Sequence, residues 1–424
     1  MGIVLKNVHI LDSPEKERTD VYITGSRISA IGKEPLRFSA DEQIDCSHKT
    51  VMPGLVNCHT HAYMSLMRNY ADDVPFHTWL FDRIMPAEDS LTPEDAYWGN
   101  LLSIMEMIRT GTTTFADMQM FPRIAVKACA DSGMRAVITR GLQGTDRHDE
   151  GAQRRLREAF DEMAYGEAAG ANCTFGLGPH AIYTCGEDLL DYVRELAHEK
   201  NLLVNIHLAE TRKEYDDCLR EHGCTPAEYL DRIGLLGERI LLAHCVRLKE
   251  SDYALLARPN VSVVTNPASN AKLANGIAPV REMLRRGSRV CLGTDSAASN
   301  NALNMFAEMR LMSMAQKAAS EDALALPAEE TIRIATSEGA AALGLPDLGA
   351  VETGKTADLI LIDEDCPNMR PLYNRKASLV YSAAGTEVSD VLIGGRIVMR
   401  DRNYTTIDAE KVYYETEKIA DRLR

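Results

Sequence analysis

Several things are missing from this chain of 424 residues. It has no uninterrupted apolar run of the roughly 18 residues that a membrane-crossing helix needs. Its first residues, Met1-Gly2-Ile3-Val4-Leu5-Lys6, alternate into polar sequence without the apolar core of a secretory signal. Basic-aromatic tracts are absent and the formal net charge is −15, which argues against nucleic acid and anionic membranes as partners. An anionic substrate would then need a local cluster of Arg or Lys. The ten cysteines contain no C-x-x-C pair and several lie in apolar runs such as Leu242-Ala243-His244-Cys245. That distribution predicts reduced, buried thiols and a cytoplasmic protein rather than a disulfide framework. No G-x-G-x-x-G turn follows the first strand-like run, which counts against a doubly wound dinucleotide fold.

What is present is ordinary globular material, 45% hydrophobic and 26% charged, in a length that suits a barrel of about 250 to 300 residues plus a smaller unit. Short β-like pieces occupy 3–10, 19–23 and 27–31, split by Gly25-Ser26 and Gly32-Lys33. The same texture returns after residue 351, in 357–362 and in a glycine-turned hairpin over 390–398. Residues 1–50 and 351–408 are therefore expected to meet in one composite β-sandwich domain, followed by a C-terminal helix over 409–424. Between them, apolar runs at 51–58, 111–117, 135–140, 174–179, 202–207, 239–244, 261–266 and 289–295 alternate with amphipathic stretches such as 93–110, 149–169 and 187–200. Eight strand–helix units predict an α/β fold, a (β/α)₈ TIM barrel spanning 51–350.

Barrels of this kind place their chemistry at the C-terminal ends of the strands. The first run ends in His59-Thr60-His61, the fifth in His207, the sixth in His244 and the eighth in Asp295. Residues 59 and 61 are two apart, so on an extended strand both imidazoles face one side. A third imidazole and a carboxylate from other strands would complete a site for one divalent metal with a position left for water. Each residue alone has a plainer reading, a hydrogen-bonded core histidine or, for Asp295, a helix cap. Their joint placement at four strand ends favours the metal. Such an ion lowers the pKa of its water towards neutrality and presents hydroxide to an electrophilic carbon. Asp295 is placed to accept the proton and Glu210, three residues past His207, to protonate a ring nitrogen and a leaving amine. His244 suits stabilisation of the attacking group or the developing charge.

Pro53-Gly54-Leu55-Val56-Asn57-Cys58-His59-Thr60-His61 resembles the first-strand signature of the amidohydrolase superfamily, and the likeness extends over essentially the whole chain. The resemblance implies a distorted (β/α)₈ barrel with a small β-sandwich built from both termini. It makes His59, His61, His207 and Asp295 the metal ligands and puts Glu210 and His244 in the acid–base set. The fourth run ends Gly178-Pro179-His180 without the lysine of binuclear members, which points to the mononuclear branch. Pro86-Ala87-Glu88, His207-Leu208-Ala209-Glu210, Asn266-Pro267-Ala268-Ser269-Asn270-Ala271-Lys272-Leu273 and Gly293-Thr294-Asp295-Ser296-Ala297-Ala298-Ser299-Asn300-Asn301 look closest to S-adenosylhomocysteine and 5′-methylthioadenosine deaminases. By that likeness Glu88 binds ribose hydroxyls, His180 contacts the nucleoside, Arg140 and Arg155 face an amino-acid tail, and Trp79 lines the thioether side.

The expectation is a hydrolytic deaminase of adenine nucleosides, S-adenosylhomocysteine, 5′-methylthioadenosine, adenosine or 5′-deoxyadenosine. Zinc is the expected ion, iron the alternative, and a homo-oligomer the expected assembly. A second reading keeps the barrel and changes the heterocycle to guanine, cytosine, a pterin or a triazine. A non-catalytic scaffold is the third, opposed by the full set of ligands. The unrelated cytidine-deaminase zinc class is excluded, because no H-x-E with P-C-x-x-C occurs.

Overall fold

A computed structural model describes residues 2–423 and divides the strands between two sheets. The first sheet is mixed and nine-stranded. It takes β1 (Gly2–Ile10), β2 (Thr19–Thr24), β3 (Arg27–Ile31), β4 (Glu42–Asp45) and β5 (Lys49–Pro53) from the start of the chain. The second sheet is parallel and runs in sequence order through β6 (Leu55–Thr60), β7 (Thr112–Gln119), β8 (Arg135–Leu142), β9 (Cys173–Pro179), β10 (Leu203–Leu208), β11 (Ile240–His244), β12 (Val261–Thr265) and β13 (Arg289–Leu292). The chain then returns to the first sheet with β14 (Leu359–Asp363), β15 (Val388–Ile393), β16 (Arg396–Arg400) and β17 (Asn403–Tyr404). A C-terminal helix follows at Ala409–Leu423; Arg424, the last residue of the predicted helix, lies outside the described residues.

The eight parallel strands, separated by helices, wrap into the TIM barrel that the alternation predicts. Just past β13, the Asp295 N–H donates to the His59 carbonyl at 2.9 Å and draws the last strand onto the first. The floor of the barrel is apolar: Val56, Cys58, Ala116, Val137, Leu241, Val264 and Cys291 pack together and against Ala340 and Leu343. Apolar layers below leave the polar strand ends to gather above, at the face where barrel enzymes work. In the nine-stranded sheet β1 pairs with β2, β4 and β5, and its two halves enclose a core that joins Ile3, Val21 and Ile28 to Leu359 and Leu392. Helix starts obey local rules. Thr92 opens Pro93–Arg109 with a capping box, its hydroxyl accepting from Asp95 N while Asp95 accepts from Thr92 N at 2.7 Å.

One predicted run is two strands. The apolar stretch 51–58 splits at Gly54, with β5 pairing antiparallel to β14 and β6 pairing parallel to β7. Gly54 N donates to the Asp358 carbonyl of the terminal sheet at 3.0 Å, and Leu55 N turns to the Gly111 carbonyl of the barrel at 2.9 Å. A Cβ on residue 54 would lie 2.0 Å from Thr113 Oγ1, so only glycine fits where the chain passes from one sheet to the other. Among the described residues no helix is long and apolar enough to cross a membrane.

Candidate active site

The site is assembled from strand ends. His59 lies within β6 and His61 one residue past it; His207 lies in β10, His244 ends β11, and Asp295 follows β13. Four backbone torsions here are left-handed in residues other than glycine: Ala209 (φ 51°), His244 (φ 75°), Cys245 (φ 46°) and Asp295 (φ 59°). Side chains rarely tolerate that region unless surrounding bonds hold it, and such positions cluster at functional sites.

The imidazoles face inward with defined tautomers. His61 Nδ1 lies 3.0 Å from the Met118 carbonyl and His207 Nδ1 2.6 Å from the His180 carbonyl. A carbonyl only accepts, so both Nδ1 atoms carry hydrogen and both Nε2 atoms are left as lone-pair donors. These two Nε2 atoms lie 3.3 Å apart. His59 is fully buried and neither of its ring nitrogens has a hydrogen-bond partner. Asp295 Oδ1 sits 3.7 Å from His59 Nε2 and 3.5 Å from His61 Nε2. Facing lone pairs and an orphaned buried imidazole are costly in a dry interior unless a cation lies among them. One ligand atom each from His59, His61 and His207 falls within 4.8 Å of the others. The residues present therefore fit a divalent metal, with Asp295 as the carboxylate of the set.

Electrostatics sort the remaining groups. Burial lowers the His59 and His207 pKa values, and neighbouring imidazoles lower them further, keeping both neutral as ligands must be. Burial tends to raise Asp295, but His244, His59, His61 and the Ser269 hydroxyl outweigh it and hold the carboxyl at about 2. His244 moves the other way: burial lowers it, while Glu210 and Asp295 raise it above the ordinary value. His244 Nδ1 is bonded to Asn270 Oδ1 at 2.8 Å, which leaves Nε2 facing Glu210 Oε2 at 3.9 Å. Glu210 is buried and raised by that burial, although His244 and the Asn275 amide, donating at 2.9 Å, work against it.

Most of these residues line one cleft at this face of the barrel. Its walls include His61, His207, Glu210, His244 and Asp295 together with Glu88, His180, Trp79, Arg140 and Arg155, while His59 lies beneath. Every residue singled out in the sequence thus converges on one place. Glu88 is not the solvated charge that its Pro-Ala-Glu-Asp context suggests. It follows a wide helical turn at Thr78–Ile84 and sits in the short helix Met85–Asp89, accepting the Tyr63 hydroxyl at 2.5 Å. Burial pushes Glu88 up to about 7 despite that bond. Trp79 is buried, with its indole N–H donating to the Ala298 carbonyl at 3.4 Å. Burial puts His180 at about 4, so it is neutral, with Nδ1 beside Thr184 Oγ1 at 2.9 Å.

The chain matches the family model "Amidohydrolase family" over residues 50–398. The chain belongs to the amidohydrolase family. It is 43% identical to a 5-methylthioadenosine/S-adenosylhomocysteine deaminase of Thermoanaerobacter pseudethanolicus, covering 100% of this chain and 99% of that protein. A 5′-deoxyadenosine deaminase of Methanothermobacter thermautotrophicus is 41% identical, over 100% and 99%. A solved adenosine deaminase of Xanthomonas campestris with bound zinc superposes with a TM-score of 0.93 at 32% identity, over 100% and 98% of the two chains.

Around this amidohydrolase centre stand side chains to which sequence reasoning gave no role. Asp295 Oδ2 accepts from Ser269 Oγ at 2.6 Å and from Ser299 Oγ at 2.9 Å, leaving Oδ1 for the imidazole cluster. Glu214 accepts the N–H of Ala209 and of Glu210, each at 2.8 Å, and so fixes the left-handed turn that aims Glu210. Ser269, Asn270 and Ser299 lie within motifs quoted above. Glu214 was hidden because Thr211-x-x-Glu214 reads as an ordinary helix start; Thr211 Oγ1 does accept from Glu214 N at 3.0 Å, but the carboxylate reaches past it.

Proposed function

We propose that the protein is a metal-dependent hydrolytic deaminase of adenine nucleosides, replacing the 6-amino group by oxygen and releasing ammonia. The observation that carries this reading is one cleft lined by two chemically distinct sets of groups. One set is an imidazole–carboxylate cluster with an acid–base pair, Glu210 and His244. The other is the half-buried carboxylate of Glu88, bonded to Tyr63. An ionised carboxylate only accepts, and two vicinal ribose hydroxyls are matched donors for it. The relatives named above, at 41 to 43% identity over the full length, support the same substrate class.

His59, His61, His207 and Asp295 would hold the ion, zinc being the choice that fits three imidazoles and a carboxylate. When bound, the ion supplies Lewis acidity and makes a water acidic near neutral pH. The chain's own groups do the rest. Asp295 Oδ1 takes a proton as the water oxygen adds to purine C6. Glu210, whose burial favours the protonated form, gives its proton to the adjacent ring nitrogen and shuttles the next to the departing amine. His244 Nε2, held by the Asn270 bond at its other nitrogen, offers positive charge to the oxygen during attack. His180 stays neutral and contacts the base. The free thiols suit a reducing cytoplasm, and a homo-oligomer is the assembly proposed.

The test is ammonia release by metal-loaded protein on 5′-methylthioadenosine, S-adenosylhomocysteine, 5′-deoxyadenosine and adenosine, with guanine and a pterin alongside. Turnover of the nucleosides, lost in Asp295→Ala, is the expected result. Activity confined to a free base overturns the reading.

A further inference from the structure

Arg140 carries five N–H donors on a planar fork. Its Nε and Nη2 both donate to Glu158 Oε2, at 3.1 and 3.0 Å. Its Nη1 donates to the carbonyls of Gly141 at 2.9 Å and Gln119 at 3.4 Å. The side chain is only 7% exposed, and the edge that would grip a carboxylate is already filled by one. Arg155, on the same cleft wall, donates to the Gln143 carbonyl at 3.2 Å. Glu158 projects from the helix Glu150–Ala169 and is 41% exposed, so it is able to move without leaving a buried charge behind. A second partner waits for it: Arg154, one turn back on the same helix, has Nε 3.7 Å from Glu158 Oε1.

We propose that Glu158 is a specificity-determining residue, an internal carboxylate that occupies the Arg140 fork and competes with any anionic group at the 5′ end of the substrate. The inference rests on the function proposed above, with the ribose at Glu88: Arg140 lines the same cleft, and its charge acts on the Tyr63 phenol that is bonded to Glu88, which puts the fork beside the sugar. A neutral 5′ substituent enters without disturbing the Arg140–Glu158 pair. A 5′ chain ending in a carboxylate must take the Nε/Nη2 edge from Glu158, which then retires towards Arg154 and water. The enzyme thereby favours uncharged 5′ tails over zwitterionic amino-acid tails.

The experiment compares kcat/KM for S-adenosylhomocysteine and for 5′-methylthioadenosine in wild type, Glu158→Gln and Glu158→Ala. Gln keeps an oxygen for Arg140 and removes the charge; Ala removes both. The ratio of the two efficiencies, acid-tailed over neutral, is expected to rise about fivefold in both variants, the span of a partly exposed ion pair, and to do so through KM. A ratio that stays constant, or falls in Glu158→Ala while Glu158→Gln holds it, makes Glu158 a mere brace for Arg140 and overturns the proposal. Should a variant fold poorly, equilibrium binding of both nucleosides by the remaining variant gives the same ratio. Failure of the wild type on every adenine nucleoside refutes the proposed function instead, so the two failures are distinguishable.

Discussion

Replacing Tyr63 with phenylalanine isolates the link between the half-buried Glu88 carboxylate and the sugar. The Tyr63 hydroxyl donates to Glu88 Oε1 at 2.5 Å, and Glu88 is held at about 7 by burial working against that bond. A hydrogen bond to a charged group contributes about 1.5 to 3 kcal/mol, and one pKa unit corresponds to about 1.4 kcal/mol. Losing the donor should therefore raise Glu88 by about one to two units. The sign follows from the chemistry: Tyr63 stabilises the ionised form, so its removal favours the protonated one. At pH 7 the ionised fraction falls from about a half to between about a tenth and a hundredth. For an adenine ribonucleoside, the acidic limb of kcat/KM should move to higher pH by that one to two units, with KM taking the larger part. A substrate lacking the 2′ and 3′ hydroxyls should show little movement, because it does not use the carboxylate. Parallel pH profiles of wild type and Tyr63→Phe on both substrates give the answer. An acidic limb that stays in place on the ribonucleoside, or moves equally on the deoxygenated analogue, refutes the assignment of Glu88 to the ribose.

Four further outcomes are expected. Dialysis against a chelator should abolish activity and lower the unfolding temperature, with zinc restoring both; His207→Ala should bind less than about a tenth of the metal of wild type, by elemental analysis, because it removes one of the imidazoles of the cluster. Ser269→Ala removes the 2.6 Å bond that orients Asp295, and kcat/KM should fall about tenfold with the backbone fold intact by circular dichroism. An undiminished rate would show that Ser299 alone suffices. Glu214→Gln sets an amide N–H₂ against one of two N–H donors, at Ala209 or Glu210, and should cost about 1 to 3 kcal/mol in denaturant unfolding while lowering kcat. Equal stability of the two proteins would mean that the turn at Ala209 holds itself.

The barrel was legible because its signal is periodic and local. Apolar runs of strand length alternate with amphipathic stretches, and predicted helices at 149–169 and 187–200 appear as Glu150–Ala169 and Glu187–Lys200. Knowing only that chemistry gathers at strand ends was enough to select His59, His61, His207, His244 and Asp295. The break at Gly54 was illegible because both flanks are apolar; what divides them is Thr113, reached only when β7 is laid beside β6. Tyr63 and Glu88 were unconnected for the same reason, as their bond joins residues 25 apart through a turn with no periodic signature. Glu158 shows a different limit. Its spacing from Arg154 suggests an i,i+4 surface pair, yet its tighter bonds run to Arg140 on β8.

The hardest feature to read is the backbone at the strand ends. A left-handed torsion usually announces itself as glycine, because no other residue adopts it without strain of about 1 to 3 kcal/mol. Here His244 and Asp295 take that torsion while supplying the imidazole and carboxylate that the proposed chemistry needs, so glycine would not serve it at either position. Ala209 takes it without a functional side chain, and its N–H is held by Glu214 while its carbonyl accepts from Val246 N at 3.0 Å and Arg247 N at 2.9 Å. Those bonds tie the turn after β10 to the turn after β11, and so set Glu210 against His244. The proposed acid–base pair is therefore positioned by backbone geometry shared between neighbouring strand ends, a relation that no single stretch of the sequence contains.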